Sequence, residues 1–175
     1  MNNQKTFQKI VQLLESWEKQ LSNYSMDELL KKSDANSWSM GQVYIHLINA
    51  TLDFQLLQVR ACQSSNENQS KRKNFKGFIS FNVLGKFPPI KIKVAASESY
   101  TPKQPESVAQ ILEGFADIKK EVRRTLESFS DKSCNGKIEH PGLSFLNASE
   151  WFKLIEMHIR HHLAQKKRID SFLGK

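Results

Sequence analysis

Four stretches of the chain carry apolar residues three or four positions apart, the spacing of amphipathic helices. The first covers residues 6–21, with Phe7, Ile10, Val11, Leu14, Trp17 and Leu21 on one side and Thr6 as the expected N-cap. A helix of one or two turns is expected next at residues 25–28, where Ser25 and Glu28 stand at capping-box spacing. The second long helix opens sharply. Ser39 and Gln42 repeat the capping box, and Trp38, before the cap, is placed to staple onto Val43. Carried forward at helical spacing, Val43, His46, Leu47, Ala50, Phe54, Leu57 and Ala61 form one stripe that ends near Ser64 and Ser65. His46 therefore lies on the expected buried face.

Residues 65–100 break the pattern. A polar, basic stretch gives way to FKGFISFNVLGKFPPIKIKV, in which Pro88, Pro89 and the flanking glycines rule out a long helix. Residues 78–83 and 90–94 read as short strands or extended segments over a core, and a connection of this length is commonly a lid or a crossover. The third long helix is expected from Pro105, as first helical residue, through Val108, Ile111, Leu112, Phe115, Ile118, Val122, Leu126 and Phe129. After a loop holding Cys134, Gly136 and His140-Pro141-Gly142, Asn147 and Glu150 give a third capping-box spacing and open the last helix, which ends near Gly174. The pattern predicts an all-α protein, residues 1–175 forming a single four-helix bundle, with a long irregular connection and short β segments between helices two and three.

Composition adjusts this picture in a few places. With 39 % hydrophobic and 25 % charged residues, the 175-residue chain can bury a core without disulfides. Cys62 and Cys134 show no CxxC spacing and read as free thiols. There is no signal-peptide pattern and no apolar run long enough to cross a bilayer, so a cytoplasmic protein with no membrane partner is expected. A net charge of +8 favours anionic partners, but Lys71-Arg72-Lys73 falls in a loop and Lys166-Lys167-Arg168 on a polar helix face. Both read as solvated surface, and no nucleic-acid-reading module stands behind them.

The candidate chemistry lies in EMHIRHHLAQ, residues 156–165, which holds three of the chain's five histidines. At about 100° per residue, His158, His162, Gln165 and Ile169 all fall within about 40° of Trp151, on the apolar stripe. His161 stands at the stripe's edge, and Glu156, about 140° away, on the side expected to face solvent. Two buried imidazoles one turn apart repel if charged and lose hydration if neutral. A divalent metal shared by His158 and His162, with His46 from the facing helix completing a triad, answers both costs. The alternative is three core-edge histidines hydrogen-bonded to backbone or water. No HExxH motif is present, which removes a zincin-type protease. Asp53, two turns beyond His46 on the same side of its helix, is the best carboxylate candidate for a general base, and no catalytic residue is assigned.

The segments WSMGQVYIHLINA (residues 38–50) and HPGLSFLNASEWFKLIEMHIRHHLAQ (residues 140–165) resemble the DinB/YfiT-like superfamily of four-helix-bundle metalloproteins. The likeness extends over nearly the whole chain, though Gly142 and Ala164 depart from the family's usual glycine positions. The resemblance implies metal ligands at His46, His158 and His162, with zinc or nickel as the divalent ion. His161 and Gln165 become candidates to support the ligands or touch substrate, with Asp53 beside them. It further implies a hydrolase, or a thiol S-transferase using a low-molecular-weight thiol with a small-molecule substrate, and a homodimer. The expectation of a different class is a stress-linked metal-binding or interaction protein that catalyses nothing.

Overall fold

The computed structural model describes residues 1–87, 101–130 and 134–175. In chain order its elements are α1 (Asn3–Leu21), α2 (Met26–Leu30), α3 (Met40–Asn49), a π-helical segment (Ala50–Gln55) and α4 (Leu56–Gln63). There follow α5 (Phe75–Phe78), a second π-helical segment (Ile79–Leu84), α6 (Val108–Ser128), β1 (Lys137–His140), β2 (Ser144–Asn147) and α7 (Ala148–Leu173). Among the described residues the protein is all-α with one small hairpin. α3, the first π-helical segment and α4 run on without a break as the second rod of a four-helix bundle. Both α1 and this rod pack against α6 and α7.

Cap chemistry sets where the helices begin. The reciprocal pairs Ser25/Glu28, Ser39/Gln42 and Asn147/Glu150 all form, as the sequence predicts. Two expected starts move. Asn2, whose side chain accepts from Lys5 N–H, caps α1, and Thr6 sits inside the first turn with its hydroxyl on the Asn2 carbonyl. Ser107 caps α6, so Pro105 lies before the helix. There the proline ring packs against Gly41, where an added Cβ would stand 2.6 Å from it.

The core is built around Tyr44. Its ring lies edge-on to Trp17 of α1 at 5.1 Å and tilted on Phe115 of α6 at 5.7 Å, and its hydroxyl donates to the Trp17 carbonyl at 2.9 Å. One fully buried side chain thus ties three rods together, and its polar end is satisfied, as burial of a phenol requires. Between α3 and α6 the backbones come close at Gly114, where a Cβ would meet Ile48 at 2.5 Å.

The second rod departs from the expected stripe. Leu56 N–H bonds the Thr51 carbonyl, a π-type step that adds a residue to the turn. Beyond it the buried positions are Thr51, Gln55, Leu56, Val59 and Cys62, while Phe54 and Leu57 are exposed. The predicted phase is therefore right through Leu47 and slips by about one residue afterwards.

The connection between the second and third rods also differs. Residues 78–83 are helical, not extended: Asn74 caps α5 by accepting from Gly77 N–H, and the turn continues to Gly85 in the left-handed region. The expected segment 90–94 lies outside the described residues. Among the described residues the β segments lie just before α7, where β1 and β2 pair antiparallel with Ile138 opposite Leu146. Residues 73–87 lie across α7 and this hairpin. Lys73 pairs with Glu150, Asn74 N–H donates to the Leu143 carbonyl at 3.2 Å, and Arg160 donates to the Gly85 carbonyl.

That covering corrects the reading of Glu156. It is only 2 % exposed, held between Lys153 and Arg160. Lys166 is likewise buried rather than solvated, donating to Asp170 at 2.6 Å and to the Tyr24 hydroxyl at 2.7 Å. Among the described residues Cys62 and Cys134 are free, and no helix is long and apolar enough to cross a membrane.

Because the Asn147 cap satisfies an otherwise orphaned amide at the start of α7, Asn147→Ala should lower unfolding free energy by about 1 kcal/mol in urea titration. An unchanged midpoint would show that the cap contributes nothing.

Candidate metal centre

α3 and α7 cross where each carries histidine. The Ser39/Gln42 box fixes the phase of α3 and places His46 two turns in; the Asn147/Glu150 box does the same for α7, where His158 and His162 follow one turn apart. Nε2 of His158 lies 3.1 Å from Nε2 of His46 and 3.1 Å from Nε2 of His162. The His46 and His162 rings have centroids 4.8 Å apart. The structure thus brings together the three histidines that helix phasing selected.

The donor set can hold a metal ion, by three observations. Three ring nitrogens converge within 4.8 Å of one another. Donors bound to one tetrahedral zinc at about 2.0–2.1 Å stand about 3.3 Å apart, close to the separations found. His162 Nδ1 lies 2.7 Å from the Gln165 carbonyl oxygen, which only accepts, so Nδ1 carries the hydrogen and the Nε2 lone pair faces inward. Finally, His158 Nδ1 is buried and has no protein partner. Hydrogen bonding among the three rings cannot satisfy every nitrogen, whichever tautomer His158 adopts.

Burial also sets the protonation. It pushes the His46 pKa down to about 4, and with repulsion from His46 it takes His162 down to about 3. His158, enclosed by both, falls well below the usual histidine value. All three are neutral at pH 7, the form that binds metals.

Around the three rings, Trp38 lies tilted on His46 at 4.9 Å, shielding it from one side. Trp38 was expected only as a staple on Val43; preceding the helix cap, it lies outside any helical periodicity that could have assigned it to the site. His161 is exposed, its ring 5.6 Å from His162 and 5.7 Å from Phe87. Nothing in the sequence signals the Phe87 contact. Gln165 supports His162 as described. Asp53 is exposed and stands outside the group, because the π-helical segment alters the phase beyond Leu47. His140 packs on Trp151 and accepts from Gly142 N–H at 3.0 Å; it is not one of the three converging histidines. Among the described residues no carboxylate joins the histidine group.

Compared with known proteins, the chain matches the family described as the DinB superfamily over residues 7–165. No curated protein matches it.

The depressed histidine pKa values carry a sign. Below about pH 6.5 the unfolded chain binds protons that the folded one refuses, so this contribution to stability is full above pH 6.5 and is lost as pH falls toward the folded values. Chelator-stripped protein should melt at a lower temperature at pH 5 than at pH 7.5, and His162→Gln should flatten part of that slope. Equal melting temperatures at the two pH values would contradict the enclosure of three neutral rings, one buried and two half-buried.

Proposed function

Since the chain belongs to the DinB superfamily, we propose that it is a metal-dependent enzyme whose His46, His158 and His162 hold one divalent ion, zinc or nickel. The observation that carries this reading is the convergence of three neutral imidazole nitrogens from two helices, one on a buried and two on half-buried residues. Three protein ligands leave coordination positions open, the arrangement typical of catalytic rather than structural sites.

When bound there, a divalent ion supplies Lewis acidity, lowering the pKa of a water or thiol in its open position so that a nucleophile exists at neutral pH. The chain's own groups do the rest. Gln165 holds the His162 tautomer and ring plane, and Trp38 covers His46 and keeps water from that side. His161, exposed beside His162, is placed to touch substrate or pass a proton. The reaction is hydrolysis or thiol transfer on a small molecule, with a low-molecular-weight thiol as the second reactant in the latter case.

That no carboxylate joins the group among the described residues favours one second reading: metal binding in a stress-linked role without turnover. Chelator separates the two, since thiol-transfer, esterase or amidase activity that disappears with chelator and returns with zinc or nickel belongs to the enzyme.

Protein purified without chelator and resupplied with zinc or nickel should carry about one equivalent per chain by elemental analysis. His158→Ala, with its helicity checked by circular dichroism, should lose most of it. Wild-type protein that retains no metal would sink the proposal.

A further inference from the structure

Phe75, Phe78, Val83 and Leu84 are 78 %, 51 %, 61 % and 42 % exposed, all on the helical run made by α5 and the π-helical segment that follows it. This run is turned the opposite way from an ordinary surface helix, which buries its large apolar side chains. Here the small residues face inward. Gly77 and Ser80 are buried, and a Cβ on Gly77 would stand 2.8 Å from the Leu143 carbonyl of the hairpin. The helix can lie this close to the hairpin because Gly77 has no side chain; Phe81 packs inward against the core, while Phe75 and Phe78 are left outside.

Within residues 71–87 every charged side chain is basic, although Glu139, opposite Phe145 in the hairpin, is also exposed. Lys71, Arg72, Lys76 and Lys86 are all exposed on or beside the run. Beneath Phe78 a cleft of about 290 Å³ opens between Arg72, Asn82, Lys137 and Phe145. The carboxylate in its wall, Glu150, is already paired with Lys73.

We propose that this surface docks the protein on an anionic lipid bilayer. Phe75, Phe78 and Val83 enter the headgroup–acyl boundary, the four cations sit among phosphates, and the cleft under Phe78 receives a headgroup. Protruding apolar side chains with a basic rim are the composition of interfacial anchors. A bilayer accepts side chains spread over more than one face of a helix without needing a matching groove. A second copy of the chain is the poorer occupant: a two-fold contact here would set the basic rims against each other in a protein that already carries +8. With no spanning helix among the described residues, the protein would lie on the membrane. The sequence-based expectation of no membrane partner concerned spanning segments, and none is found among the described residues; the proposal concerns a surface contact. The inference stands apart from the metal reading, since none of these residues is a ligand.

Co-sedimentation of the full-length protein with phosphatidylcholine vesicles, and with vesicles of phosphatidylcholine and phosphatidylglycerol in equal parts, tests it. Binding is expected only to the anionic vesicles, weakening with salt. Replacing Phe75 and Phe78 together by Ser should weaken it by roughly tenfold or more, and Arg72→Gln or Lys76→Gln by roughly fivefold each. Because these side chains are exposed, the melting temperature should not change. No binding to anionic vesicles, or binding that ignores the phenylalanines, overturns the proposal. So does a fall in melting temperature in the double variant, which would mean that the chain itself covers the patch. A concentration-dependent dimer abolished by the same variant places a second copy there and also overturns it, as does a patch-dependent acidic protein partner with no vesicle binding.

Discussion

Everything specific to this protein depends on two helices meeting where three imidazoles face one another. Three rings with Nε2 atoms about a hydrogen bond apart are tolerable only while none is charged. Burial supplies that condition, and in doing so it leaves nitrogen lone pairs converging with too few protons to share. The rest of the bundle holds this arrangement in place. The two capping boxes fix the rotation of α3 and α7, Tyr44 locks the second rod to α1 and α6, and Gln165 sets one ring from behind.

The structure explains why those three positions were readable from sequence alone. His46 lies two turns after a capping box and before the π-helical segment, so counting at 3.6 residues per turn is still in phase there. His158 and His162 sit on a helix with no interruption between its cap and the two rings. Asp53 shows the opposite case. It lies within the π-helical segment, where the count no longer holds, and the same slip moves Phe54 and Leu57 to the outside and Gln55 and Val59 to the inside. No local residue pattern announces a π-type step, since it is a choice between two hydrogen-bond partners for the same amide.

The long connection was misread for a related reason. Residues 79–83 alternate apolar and small or polar side chains in a way that imitates a strand, but the Asn74 cap and the close seat for Gly77 on the hairpin select a helix. Glu156 was assigned by helical phase to the solvent side, and the phase was correct. What periodicity could not supply is that another part of the chain lies over that side, bringing the Gly85 carbonyl to Arg160. Local physics specifies which way a side chain points; what it meets there depends on contacts between residues far apart in sequence.

Those contacts make α7 a common reference for both sides of the molecule. On its inner side it carries His158 and His162; on its outer side Glu150, Arg160 and His161 hold Lys73, Gly85 and Phe87. The surface helix between those fastenings and the imidazole pair are therefore indexed on one rigid rod. A rotation or slide of α7 would displace both together, so the outward phenylalanines and the buried nitrogens share one mechanical coordinate although no side chain of one touches the other.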